Sequence, residues 1–251
     1  MPYLDLDNLS ISFGGVQAVH HLSLSLAQGK ISSLIGPNGA GKTTVFNLIT
    51  GAFKPDEGEI RFKGETIQGR SPCHVVRKGI GRSFQELRLF HHMTVFDNVS
   101  LALQGQKNEN PFRALVRGKK YAAEKKQAEE KTFGLLEFVN LAEKRNHLAD
   151  DLSYGEQKLL SLARILATDA ELLLLDEPTS GLDSKFIDHI LSLARDLIRQ
   201  GKTVLLVEHN MDLIMKISDW IFVLHQGRKI AEGPPDEIHK NEEVIRVYLG
   251  E

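Results

Sequence analysis

The chain has 251 residues, 41% of them hydrophobic and 25% charged, a balance that suits a globular protein with a substantial core in one or two lobes. Its 31 Lys and Arg against 33 Asp and Glu leave a formal charge of -2, which excludes a global field drawing the molecule to nucleic acid or to an anionic membrane. The single cysteine, Cys73, excludes an intramolecular disulfide and any cysteine-based metal cluster, and fits a reducing compartment.

The opening MPYLDLDNL has no basic region and no long apolar stretch, so it does not read as a signal peptide and the expectation is a cytoplasmic protein. Leu4, Leu6, Leu9, Ile11 and Phe13 then alternate with polar residues, as do Leu22, Leu24 and Leu26, and both stretches predict half-buried antiparallel strands. A strand from Ile31 to Ile35 runs into GPNGAGKTT, and the helical pattern of Val45, Phe46, Leu48 and Ile49 follows. After a turn at Pro55–Gly58 and a strand around Ile60 and Phe62, the segment Ile80 to Phe84 leads to Gln85.

From Thr94 to Ala167 the periodicity is helical, opened by Thr94 and Asp97 spaced as a capping box. Within this insert Lys107 to Lys131 carries eight Lys or Arg against four Glu, which reads as a solvated helix face. Leu172 to Leu175 and Val204 to Val207 are apolar runs separated by an amphipathic helix, Phe186 to Ile198, the pattern of parallel buried strands. Trp220 to Leu224 and Lys229 to Ala231 flank Gln226-Gly227 as a hairpin, and a short helix closes the chain. The apolar runs fall far short of the ~18 residues that cross a bilayer, so membrane association requires a partner.

Gly36 to Thr43 matches G-x-x-x-x-G-K-[ST] between a strand and a helix. Glycines at 36, 39 and 41 let the backbone approach phosphates, with Pro37, Asn38 and Ala40 completing the loop and Thr44 following it. The helix start adds positive dipole, Lys42 reaches the β- and γ-phosphates, and the Thr43 hydroxyl ligates Mg²⁺. The Leu172 strand delivers Asp176 and Glu177 at its C-terminal end, one carboxylate for the Mg²⁺ shell and one to polarise an attacking water as general base.

Leu152 to Gln157, LSYGEQ, resembles the LSGGQ signature of ABC ATPases: Tyr154 replaces the first glycine, Ser153, Gly155 and Gln157 are read as the motif's own residues, and Glu156 lies between them. The same residues read as a capping box, Ser153 to Glu156, opening a helix. The remaining ABC motifs follow in register. Phe13 resembles the aromatic residue that stacks on adenine, and reads equally as an ordinary core strand residue. Gln85 resembles the Q-loop glutamine that touches Mg²⁺ or water, Ser180 to Asp183 the D-loop, and His209 the switch histidine that contacts the γ-phosphate. More narrowly, RSFQELRLFHHMTVFDNV, VEHNMDLIM and the ending VIRVYLGE are similar to the branched-chain amino-acid branch of the family, the LivG type, with urea and lipopolysaccharide cassettes sharing several of these features.

The resemblance implies an α/β fold: a P-loop NTPase (RecA-like) core at about 1–88 and 168–251, an N-terminal antiparallel β-subdomain, and an inserted α-helical subdomain at about 89–167. It implies a single cassette that binds and hydrolyses ATP with Mg²⁺ and energises import of a small solute. The implied partners are membrane-spanning permease subunits, a second cassette, identical or homologous, and indirectly a solute-binding protein, with no nucleic acid. Two cassettes would clamp two ATP molecules head to tail, Ser153 of one facing the Lys42 site of the other. A non-transport ABC ATPase is the alternative within the family, and a GTPase or small-molecule kinase outside it; the latter leaves LSYGEQ and His209 unexplained.

Overall fold

The computed structural model describes residues 2–83, 87–103 and 118–249, the side chains of 118–121 and 249 excepted. Strands β1 (Leu4–Phe13) and β2 (Val16–Leu26) pair antiparallel, Leu4 opposite Leu26 and Phe13 opposite Val16, across a turn in which Gly14 and Gly15 both take positive φ. β4 (Glu57–Phe62) pairs with the other edge of β1, and β5 (Glu65–Thr66) extends the sheet to four strands. Leu4, Leu6, Leu9 and Ile11 are buried, as alternation requires, whereas Phe13 is 44% exposed. It is therefore not a core residue; its ring meets Phe53 edge-on at 5.1 Å.

A six-stranded sheet carries the second half of the core, in the order β10-β9-β3-β8-β7-β6. Its members are β3 (Ile31–Ile35), β6 (Ile80–Arg82), β7 (Leu172–Asp176), β8 (Thr203–Val207), β9 (Trp220–His225) and β10 (Arg228–Gly233). All neighbours are parallel except the β9–β10 hairpin, whose turn places Gln226 and Gly227 at φ 46° and 75°. The unbroken apolar runs have a physical reason, since every residue of β3, β7 and β8 is buried. Leu172, Leu174, Leu205 and Val207 face the cluster shared with the antiparallel sheet, while Leu173, Leu175, Val204 and Leu206 face the helices.

Helix α1 (Lys42–Ile49) follows β3, and α2 (Pro72–Arg77) lies between β5 and β6. The helical layer holds α3 (Val95–Ser100), α4 (Gly118–Phe138) and α5 (Tyr154–Ala167), packed on one another. Thr94 caps α3 as its spacing predicts, accepting from the Asp97 N–H, but the helix ends at Ser100. Asn98, fully buried, fastens the preceding loop by accepting from the Phe90 N–H and donating to the Phe90 and Thr94 carbonyls, all at 3.0 Å. The described part of the Lys107 to Lys131 run lies in α4, where Lys125–Glu129 and Lys126–Glu130 pair on exposed positions, as a solvated face would. The rest of that run lies outside the described residues.

Helix α6 (Ser184–Arg199) is the crossover from β7 to β8 and buries Ile190, Leu191, Leu193, Ala194 and Leu197 along one face. Each fully buried Leu or Ile there contributes about 1.5–3 kcal/mol. After β8 come α7 (Met211–Ile217), α8 (Pro235–Ile238) and α9 (Glu242–Leu249). Val244 of α9 joins Ile214, Ile221, Val223 and Ile238 in a cluster with Ile35, the last residue before the glycine loop.

Candidate active site

Because β3, β7 and β8 are adjacent and parallel, their C-terminal ends open on one edge, and each delivers a motif there. The glycine loop leaves β3 with Gly36 at φ 151°, where a Cβ would lie 2.1 Å from the Leu224 carbonyl oxygen; no other residue fits. Gly41, at φ 103°, sits against the Ala18 carbonyl at 2.6 Å by the same measure and caps α1. Lys42, 7% exposed, curls back over the loop and donates from Nζ to the Gly36 and Pro37 carbonyls at 2.7 and 3.0 Å. Burial lowers its pKa, and the charges of Glu177 and Asp176 oppose that shift, which places both carboxylates within electrostatic reach of the ammonium. Asn38, Gly39 and Thr43 are exposed at the mouth, Thr44 is partly so, and Ala40 is buried.

Asp176 ends β7 and is 6% exposed. Its backbone N–H donates to Ser83 Oγ at 2.9 Å, and its Oδ2 accepts from Arg82 at 3.0 Å, in a buried ion pair braced by Arg82 to Asn47 Oδ1 at 2.6 Å. Arg82 was not singled out from the sequence, because a lone arginine at a strand end carries no signature. Replacing it with Ala is expected to destabilise the fold by about 3–5 kcal/mol by stranding a buried carboxylate. Chemical denaturation should show that loss, and show it shrink when Asp176→Asn is added.

Glu177 takes φ 47°, a left-handed conformation rare for a residue with a Cβ, held by its N–H donating to the Val207 carbonyl at 2.8 Å. Its Oε1 lies 2.8 Å from His209 Nε2, so the structure brings together two residues 32 positions apart that belong to separate motifs in the sequence. Glu208, also missed, is 4% exposed and accepts from the Thr179 N–H and hydroxyl at 2.9 and 2.6 Å, fixing the loop beyond Glu177. Gln85 lies outside the described residues.

Ser153 is the N-cap of α5 and forms the expected capping box: the Glu156 N–H donates to its Oγ at 3.4 Å, and its own N–H donates to Glu156 Oε2 at 3.0 Å. Laid on LSGGQ without a gap, residues 152–156 fill the five places, so Glu156 rather than Gln157 stands where the motif has glutamine. Gln157 is instead spent inward, donating to the Ala149 and Leu152 carbonyls at 3.3 Å each. Lys144 pairs with Glu156 at 2.6 Å. Tyr154 lies against Gly181, and Gly155 is backed by the Phe186 ring, so the signature and the SGLD turn form one surface. Asp183 caps α6, accepting from the Phe186 N–H at 3.0 Å.

A further contact came from the far end of the chain. Burial pushes the Tyr248 hydroxyl on α9 up to about 12 from 10.0, against a hydrogen bond with the Gly36 backbone that favours the ionised form. Because the folded chain disfavours the ionised phenol, native stability is unaffected by this group below pH 10 and falls as pH rises toward 12. The melting temperature of the native chain is therefore expected to fall relative to that of Tyr248→Phe between pH 9 and ~11.5.

A buried lysine folded over its own glycine loop, beside a carboxylate able to direct water, is chemistry for a phosphoanhydride bond, and the fold around it defines a P-loop nucleotide hydrolase. The family model described as "ABC transporter" matches residues 19–180, and one described as "Branched-chain amino acid ATP-binding cassette transporter" matches residues 228–251. The high-affinity branched-chain amino acid transport ATP-binding protein BraF of Pseudomonas aeruginosa is 42% identical over 251 residues, covering 100% of this chain and 98% of the relative. LivG of Escherichia coli (strain K12), of the same description, is 40% identical with the same coverages. The crystal structure of an ABC transporter cassette in its ADP conformation superposes with a TM-score of 0.87 at 32% identity, covering both chains completely, and a nucleotide-free cassette gives 0.86 at 31%. The chain belongs to the ABC transporter family and is an ATP-binding, ATP-hydrolysing cassette. No helix among the described residues is long and apolar enough to cross a membrane.

Proposed function

We propose that this cassette energises import of branched-chain amino acids, held at the inner face of the membrane by permease subunits that receive solute from a binding protein. The observation that carries the solute is the match of residues 228–251 to the branched-chain family model, added to full-length likeness to proteins of that description. Within the chain we assign a core lobe at about 1–88 and 168–251 and a helical lobe at about 89–167. Phe13, exposed at the end of β1 against Phe53, stacks on adenine, and residues 36–44 cradle the phosphates.

The donor set suits Mg²⁺, a hard ion that takes oxygen ligands and keeps several for phosphate and water. Thr43 is exposed at the loop, Arg82 donates to Oδ2 of Asp176, and Asp176 Oδ1 would join the metal shell together with the Thr43 hydroxyl and Gln85. Bound there, the ion would neutralise charge on the phosphates. Glu177 directs water, His209 steadies that carboxylate and meets the γ-phosphate, and Asp183 shapes the turn presented to a second cassette. That cassette, identical or homologous, supplies residues 153–157 across the interface.

Co-purification from membranes tests this reading. The chain should bring down a polytopic permease and a periplasmic-type solute-binding protein, and ATP hydrolysis by the complex should rise with leucine, isoleucine or valine on the binding protein. Stimulation by urea, or capture with lipopolysaccharide and no response to amino acids, would reassign the solute. A complex with nucleic acid and no permease would overturn the transport role.

A further inference from the structure

Lys158 sits one turn into α5, beyond the signature residues, and points across to the loop that follows β7. Its Nζ donates to the Glu177 carbonyl at 2.8 Å and to the Ser180 carbonyl at 2.8 Å, and lies 5.2 Å from the centre of the Tyr154 ring. A flexible lysine gives up rotamer freedom and hydration to hold two carbonyls, and burial lowers its pKa against the favourable charges of Glu208 and Glu177. The recipient is the residue in the left-handed conformation at φ 47°. Such a backbone costs about 1–3 kcal/mol and persists only where its surroundings over-determine it. The Val207 carbonyl holds the amide side of Glu177; Lys158 holds its carbonyl side, from a different layer of the molecule.

Close to this link, α5, α6 and β7 are separated by a largely apolar cleft lined by Leu87, Leu159, Leu162, Leu175 and Pro178. Two charge-assisted hydrogen bonds at the edge of a cleft resist a shift that apolar contact alone would tolerate.

We propose that Lys158 is a positioning residue for hydrolysis: it ties the signature helix to the backbone of Glu177 and Ser180, so that the Glu177 carboxylate is aimed at the attacking water only while that helix is seated against β7. This rests on the assignment of Glu177 as general base. Its consequence is that movement of the helical layer reaches the base through one side chain, while the glycine loop, on another strand, is left undisturbed.

The test uses the full chain. Lys158→Met keeps the stem over Tyr154 and removes the donors; Lys158→Arg restores them. Lys158→Met is expected to lower kcat for ATP about 10- to 100-fold, the effect of a misplaced catalytic group, with KM and binding of a non-hydrolysable ATP analogue unchanged. Lys158→Arg should recover most of kcat. In a Glu177→Gln background, Lys158→Met should cost nothing further, since the group it aims is gone. A merely structural lysine would lower the melting temperature and add its loss to that of Glu177→Gln. Native kcat in Lys158→Met, a parallel loss of ATP binding, or additive losses would each overturn the proposal. If Lys158→Met does not fold, Lys158→Leu, which likewise has no side-chain donor, takes its place with the same criteria. Native turnover in Glu177→Gln itself would instead remove Glu177 as base, and this inference with it.

Discussion

Glu177→Gln is expected to lower ATP turnover by about 10²-fold or more while ATP still binds. The substitution is nearly isosteric, and the features that hold the residue are backbone features: its N–H to the Val207 carbonyl, its carbonyl to Lys158 and its φ of 47°. An amide can still meet His209 Nε2, so the geometry persists and only the capacity to take a proton from water is removed. The P-loop lies on β3, and binding through Gly36 to Thr43 is not routed through this carboxylate. Removing one negative charge near Lys42 also favours an incoming triphosphate, so the variant should accumulate with ATP bound. Single-turnover hydrolysis and equilibrium binding of ATP separate the two effects. Unchanged turnover would take Glu177 out of the catalytic role.

Lys42→Ala and Ser153→Ala chains, each inactive alone, are expected to regain hydrolysis when mixed, if the sites are shared between two copies. Lys42 is buried in its own glycine loop and, as the proposed phosphate ligand on one side of the triphosphate, its loss should weaken nucleotide binding itself. Ser153 is exposed at the start of α5, its hydroxyl engaged with Glu156 Oε2 at 3.0 Å, and it stands on the surface that includes Tyr154 and the SGLD turn. A helix N-terminus is a donor surface for an anion brought by another molecule, and the Ser153 hydroxyl joins it by turning its proton away from Glu156. In a mixed dimer both lesions fall in one site and the other is wholly native, whereas sites contained within one chain leave none intact in any mixture. Hydrolysis and ATP-dependent pairing are followed across mixing ratios, with a homologous partner cassette where this chain does not self-pair. Activity that stays at the level of the single variants, although mixed dimers form, would count against independent shared sites.

Those motifs were legible because their chemistry is local. GPNGAGKT needs glycine at particular backbone angles, a strand before it and a helix after it, and all three are written between Ile31 and Ile49. Alternation located β1 and β2, and Ser153 to Glu156 announced the start of α5 by its capping spacing. Shorter elements escaped, although α2 and α7 carry caps at Ser71 and Asn210, because six or seven residues give too little periodicity to separate a helix from a loop. The ambiguity at Phe13 was also local in origin: a strand's last residue faces core or solvent according to what packs on it, and only the placement of Phe53 and the sheet edge decided for solvent.

The sequence by itself determined the chemical inventory of this protein: a phosphate-binding loop, two carboxylates at a strand end, a signature helix and a histidine, each in the context its chemistry requires. What only the tertiary structure decided is which groups restrain them. Arg82 meets Asp176 across 94 positions, Glu208 anchors Thr179, Lys158 reaches the Glu177 carbonyl from another layer, and Tyr248 comes back to Gly36 from the last helix. None of these pairings has a spacing rule, because a hydrogen bond or ion pair is set by distance in space. That distance follows from the strand order β10-β9-β3-β8-β7-β6, which brings three remote strand ends to one edge.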